Sequence, residues 1–343
     1  MKTKLTPIII LIISSICVLL FLKTNSTETI PYEDPLAQKK LDKIIAISKF
    51  NADQAIEELQ DLNDLPEYTN YKKNYILARL YEKRNKSNEA ISIYEKLQNK
   101  NYPLKERVLF HLANLNTTQN NDKEALKYFN KLLRDFPNSK STPQAKYYLA
   151  QIELRLRLIN QATNTLLSLK TEYPNTQFGI ATNYYLGELA YNKKNHSEAL
   201  KYWSQYLELS PDGRFANEIA TFFTEVSRQI PLKPYDYSLL GDVFFHKKDY
   251  KNAARYYKIG NNSKKYYELG YSLYRINNKN EAQHFLKEFA YRFPKSKNAK
   301  WALYYASSCM PSYLRKSFFF KSNKRYSRAC LLYDLQRRSL RRK

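Results

Sequence analysis

The residues best able to do chemistry are few and scattered. The four histidines, His111, His196, His246 and His284, stand far apart, and none falls in an HExxH pattern or beside a cysteine at metal-ligand spacing. Cys17, Cys309 and Cys330 form no CxxC pair and no disulfide framework. Six glycines in 343 residues leave no GxGxxG, GxSxG or P-loop. The carboxylates are interleaved with lysines, the pattern of solvated helix faces. No catalytic residue, cofactor or metal is therefore expected. What remains is aromatic chemistry. Tyrosine doublets stand at Tyr147–Tyr148, Tyr184–Tyr185, Tyr256–Tyr257 and Tyr266–Tyr267. On a helix, adjacent side chains point about 100° apart. One tyrosine of each doublet is expected to pack between helices while the other reaches a surface. Tyr147, Tyr148, Tyr184, Tyr185, Tyr266 and Tyr267 are the candidate binding residues, placed to line a concave face and to stack on sugars or bury against a peptide.

The elements that must position these tyrosines are short amphipathic helices that recur in pairs. Small residues at Ala90, Ala125, Ala162, Ala199, Ala253 and Ala282 serve as a ruler along the second helices. Thirteen residues earlier stand Leu77, Leu112, Leu149, Leu186, Leu240 and Leu269. Twelve earlier stand Ala78, Ala113, Ala150, Gly187, Gly241 and Gly270, small enough for close helix approach. Four later stand Tyr94, Phe129, Leu166, Trp203, Tyr257 and Leu286. Twelve later a proline closes the pair at Pro137, Pro174, Pro211 and Pro294, with Pro103 one residue late. The ruler spacings are 35, 37, 37, 54 and 29, so an insertion follows Pro211, and Phe215 to Gln229 reads as one extra helix.

This register resembles the tetratricopeptide repeat, a 34-residue helix pair with a leucine, a small residue, an alanine, an aromatic and a proline at these offsets. The resemblance implies an all-α, right-handed solenoid of helical hairpins, in which stacked pairs bury a core that one pair cannot. About seven and a half pairs are expected over residues 36–308, the first of them (36–62) a degenerate cap.

Leu5 to Leu22 is 18 residues without a charge, about the minimum for a membrane span. It ends at Leu20, Phe21, Leu22 and Lys23 with no Ala-x-Ala site, which favours an uncleaved signal anchor over 1–23 rather than a cleaved leader. Lys2 and Lys4 before the span, against Glu28, Glu33 and Asp34 after it, predict the amino terminus inside and the repeats outside. In a bacterium that is the inner membrane, single-pass, with the repeats in the periplasm. Residues 24–35 read as a linker.

The chain carries a net charge of +25. Part of it lies in residues 309–343, where the repeat register is lost. Ser312 to Lys343 holds 11 basic residues, one acid (Asp334) and the run Phe318–Phe320. Two readings stand: a basic tail that binds an anionic surface, or the product of a truncation or frame shift near Cys309. Nucleic acid is not the expected partner.

A second resemblance spans residues 177–306. ALKYWSQYLELSPDGRFA (199–216), DYKNAARYYKIG (249–260), ELGYSLYRINNKNEAQHFLKEFAYRFP (268–294) and KWALYYA (300–306) are similar to the α-superhelix of bacterial soluble lytic transglycosylases. That family's catalytic Glu-Ser and Gly-Leu-Met-Gln segments have no match here, so no catalytic residue carries over. The combined expectation is a membrane-anchored scaffold of the cell envelope that binds protein, peptide or peptidoglycan without catalysis. The alternatives are the superhelical part of a lytic transglycosylase lacking its catalytic domain, and an assembly factor facing the cytoplasm.

Overall fold

The computed structural model describes residues 35–100, 103–311 and 313. The expected span 5–22 and the basic tail beyond Tyr313 lie outside the described residues. No described helix is long and apolar enough to cross a membrane. The described residues form sixteen α-helices, one 3-10 turn and no strand. They divide into two compact units at Phe136 and Pro137.

The first unit holds α1 (Pro35–Ile47), α2 (Ala52–Asp61), α3 (Glu67–Lys83), α4 (Ser87–Leu97), α5 (Lys105–Thr118) and α6 (Asp122–Asp135). Its core is a string of small and large apolar residues at helical spacing: Leu41, Ala55, Leu59, Ala78, Ala90, Tyr94, Leu112, Ala113, Ala125 and Phe129 are each fully buried.

The second unit holds α7 (Thr142–Arg155), α8 (Ile159–Glu172), α9 (Gln177–Asn192), α10 (His196–Leu209), α11 (Ala216–Val226), α12 (Pro234–His246), α13 (Tyr250–Gly260), a 3-10 turn (Ser263–Lys265), α14 (Tyr266–Arg275), α15 (Lys279–Arg292) and α16 (Ala299–Ser308). Ala162, Ala199, Ala253 and Ala282 are again fully buried, as are Leu166, Trp203 and Leu286, with Tyr257 at 1% exposure. The sequence reads a helix from Lys264. The structure instead makes a 3-10 turn there, because the Asn262 side chain accepts from the Lys264 N–H at 3.1 Å and starts the chain in a tighter turn.

Two local devices punctuate the pairs. Second helices end on a residue followed by proline: Phe136, Tyr173, Ser210 and Phe293 each take φ between −149° and −124° and ψ between 50° and 69°. A proline ring excludes the helical conformation from the residue before it, so each helix stops at the same step. Within the pairs, the residue five before the ruler adopts positive φ: Asn85 58°, Asn120 60°, Arg157 59°, Lys194 61°, Lys248 63° and Asn277 65°. Each turn closes with a bond from the next residue's N–H to the helix carbonyl five back, as from Lys86 to Tyr81 and from Asn195 to Ala190, both at 2.9 Å.

The extra helix α11 enters between α10 and α12. Its Phe222 stacks on Trp203 with centroids 4.7 Å apart, and Glu225 accepts from the Tyr191 hydroxyl at 3.4 Å. The connection 227–233 then runs back, so that α12 begins beside the C-terminal half of α10. There the Ser204 hydroxyl donates to Asp236 Oδ1 at 3.1 Å.

Candidate functional site

In the second unit, α7, α9, α10 and the loop before α11 bring seven aromatic rings together. Tyr147 meets Phe178 at 5.4 Å and Tyr185 at 5.9 Å. Tyr184 lies flat on Phe215, centroids 4.0 Å apart and planes 9° from parallel, and Tyr185 meets the same ring edge-on at 5.6 Å. Tyr148 meets Tyr147 at 5.6 Å, and Tyr206 approaches Phe215 at 6.0 Å. Hydroxyls fix the cluster. Tyr147 and Tyr185 share a hydrogen bond at 3.3 Å, and Tyr206 Oη accepts from the Phe215 N–H at 3.1 Å. That last bond needs Gly213, since a Cβ there would stand 2.4 Å from the Tyr206 hydroxyl.

Beside these rings opens a pocket of about 410 Å³, lined among others by Tyr147, Tyr148, Gln151, Phe178, Arg214 and Phe215. Arg214 is exposed at its rim, with its guanidinium 5.3 Å from the Phe215 ring centre. Burial raises the phenols of Tyr184, Tyr185 and Tyr206, and the Glu218 carboxylate bonded to Tyr184 raises that one further. These groups therefore stay neutral donors at physiological pH. Burial also raises the Glu188 carboxyl, which hydrogen-bonds Tyr184.

The structure therefore brings together four of the six sequence-selected tyrosines, Tyr147, Tyr148, Tyr184 and Tyr185. It leaves Tyr266 and Tyr267 to another core. There Tyr266 packs on Phe285 at 5.0 Å and donates to Asn261 Oδ1 at 2.9 Å, while Tyr267 packs on Phe289 at 5.7 Å. Phe178, Tyr206 and Arg214 complete the pocket and were not selected from sequence. The turn SPDGRF (210–215) is the local signal that points to the last of these, because it ends the second helix and turns the following Arg-Phe back over it.

The first unit has a polar counterpart. Arg79 Nη1 lies 2.5 Å from Glu82 Oε2 and 3.0 Å from His111 Nδ1, and Glu82 Oε1 lies 3.2 Å from the same ring nitrogen. The His111 ring stacks on Tyr94 at 5.6 Å. Burial opposes ionisation of Glu82, but hydrogen bonds from His111 and Tyr94 outweigh it and hold its carboxyl low. The cluster is a half-exposed polar network joining α3 to α5, with Arg79 on its solvent side and the buried Tyr94 hydroxyl left without a hydrogen-bond partner of good geometry. No group of three His, Cys, Asp or Glu among the described residues is placed to hold a metal ion.

Residues 75–140 and 266–296 each match a tetratricopeptide repeat family model. The second match falls inside residues 177–306 and is to the tetratricopeptide repeat, so the finer likeness expected there to the lytic transglycosylase superhelix is not supported. Among solved structures, the chain is similar to a tetratricopeptide repeat protein from Parabacteroides merdae, at 16% identity and TM-score 0.39, over 69% of this chain and 98% of that one. It is also similar to the C-terminal part of a tetratricopeptide repeat-containing protein from Cytophaga hutchinsonii, at 16% identity and TM-score 0.34, over 75% and 92% of the two chains. No curated protein matches it in sequence.

Proposed function

We propose that this chain is a non-catalytic scaffold whose tetratricopeptide repeats hold a protein or peptide partner at the pocket between α7, α9 and α10. The observation that carries this reading is the pairing of a rigid aromatic wall with one exposed cation. Tyr147, Phe178 and Phe215 are held by ring contacts and hydroxyl bonds, so little side-chain freedom is lost on binding. Arg214 stands at the rim, exposed and over Phe215. A partner segment that inserts an apolar side chain beside Tyr148 and sets a carboxylate at Arg214 satisfies both. Residues 5–22 anchor the protein in the inner membrane, with the repeats in the periplasm, where peptidoglycan is the competing ligand.

The test uses the full chain in detergent, with a photo-activated cross-linker at Gln151. A single protein adduct is expected, reduced roughly tenfold by Tyr148→Ala or Arg214→Ala, as for a central contact. Sedimentation with insoluble peptidoglycan that depends on the same two residues, without a protein adduct, overturns the peptide reading in favour of glycan. Protease added to intact spheroplasts should digest the repeats; protection reverses the topology.

A further inference from the structure

The turns that join first to second helices in the second unit share one edge, and that edge is basic. The α7–α8 turn carries Arg157, the α9–α10 turn Lys193 and Lys194, the α12–α13 turn Lys247 and Lys248, and the α14–α15 turn Arg275 and Lys279, all exposed. The return of residues 227–233 keeps the third of these turns at the same end as the second. Arg275 ties the fourth to the third, since its Nη1 donates to the hydroxyls of Tyr250, at the start of α13, and of Tyr271, both at 3.0 Å. The Tyr250 ring lies 4.5 Å from its guanidinium, so this exposed cation is held in place.

The carboxylates at this end are fewer than its seven cations, and each has a partner of its own, though only Glu281 has a cationic one. Asp249 caps the Asn252 N–H at 3.2 Å, Glu198 accepts from Asn195 Nδ2 at 2.8 Å, Glu225 accepts from Tyr191, and Glu281 pairs with Lys258. None of the ion pairs found among the described residues engages Lys193, Lys194, Lys247 or Lys248. Three of the cations, Arg157, Lys194 and Lys248, occupy the positive-φ position where asparagine or glycine is the easier residue. Isoleucines protrude among the charges, Ile159 at 36% exposure and Ile276 at 41%.

We propose that this edge of the second unit contacts anionic lipid headgroups, with the lysines and Arg275 on phosphates and Ile159 and Ile276 at the acyl boundary. Isolated aliphatic side chains among cations favour a bilayer over a soluble polyanion, which offers nothing apolar to meet them. The proposal rests on the anchor reading for its proximity to a membrane, but it stands on its own residues.

The experiment reconstitutes the full chain into vesicles of phosphatidylcholine, alone or mixed with phosphatidylglycerol. Site-resolved lysine acylation is followed by mass spectrometry. Lys193, Lys194, Lys247 and Lys248 should label several-fold more slowly in the anionic vesicles, while Lys295 and Lys297 at the opposite edge label equally in both. High salt should restore the rate. Equal labelling of the four lysines in both lipids overturns the proposal. So does protection that soluble polyphosphate, added to the neutral vesicles, reproduces in full. Alkaline extraction of the neutral vesicles reports the anchor separately: release there removes the anchor reading and leaves lysine protection to decide the edge. A variant with all four lysines changed to glutamine should make labelling of Lys279 indifferent to lipid; persistent lipid dependence there also counts against the proposal.

Discussion

The two units build the same helix pair with different compromises. In the first, the small residue of the first helix is alanine at Ala78 and Ala113, fully buried like Tyr94 and Phe129 of the second helices. Both of its pair turns carry asparagine at positive φ, Asn85 and Asn120. In the second unit three of four small positions are glycine, and three of four turn positions are Arg157, Lys194 and Lys248. The glycines are forced by close approach. A Cβ on Gly187 would sit 2.2 Å from Trp203 Nε1, one on Gly241 2.5 Å from Tyr257 Cδ1, and one on Gly270 2.6 Å from Leu286 Cγ. The Trp203 indole lies so near because its N–H donates to the Tyr184 carbonyl at 3.2 Å. The first unit thus keeps good local propensity, while the second accepts glycine in mid-helix for closer approach of the facing side chain, and cations in its left-handed turns.

The sharpest way to break this contrast is at the crossing. Trp203→Ala empties a fully buried site and should cost about 3–5 kcal/mol, read as a lower urea midpoint for the second unit. Gly187→Leu should cost about 3 kcal/mol by overpacking. A Trp203→Leu background should relieve part of that cost, and strict additivity of the two changes would refute the contact as drawn. Ala113→Gly, the reverse exchange in the first unit, should cost only about 1 kcal/mol, chiefly helix propensity.

A smaller effect sharpens the turn comparison. Lys194→Gly or Arg157→Gly should stabilise the second unit by roughly 0.5–1 kcal/mol, less than the full left-handed penalty because glycine also loosens the unfolded chain. Asn120→Gly should change little. Equal gains at Asn120 and Lys194 would show that the residue at positive φ does not distinguish the units.

A last prediction concerns pH. Burial raises the Glu268 carboxyl above the usual carboxylate range, and the nearby Asp242 charge adds to it, against a backbone hydrogen bond and Lys265. For an acid with a raised folded pKa, its stabilising share is fully present below the unfolded pKa and is lost as pH rises through the folded value. Glu268→Gln should therefore gain on the parent protein between mildly acid and neutral pH. A difference independent of pH would mean that Glu268 does not titrate differently in the fold.

The ruler alanines and the large residues four later were legible because a helix repeats its face every three to four residues, and burial at Ala125 or Phe129 depends only on that period. The four tyrosines of the α7 and α9 doublets were legible for the same reason. Tyr266 and Tyr267 carry the same local signal. Their separation follows from Phe285 and Phe289, contacts made between helices that no spacing records. Tyr206 and Phe215 meet through a backbone N–H in a loop, so neither periodicity nor composition marks them. The positive-φ turns were hidden by arginine and lysine standing where glycine usually gives the signal.

The Trp203 contact has an optical consequence. Both tryptophans of the chain, Trp203 and Trp301, fall in the second unit, and Trp203 is sealed from solvent, hydrogen-bonded and stacked on Phe222. Indole emission in the native protein is therefore a spectroscopic channel for one half of the molecule. Backbone dichroism sums over both. Followed together through a denaturant series, the two signals would separate wherever the halves melt apart, with no label added.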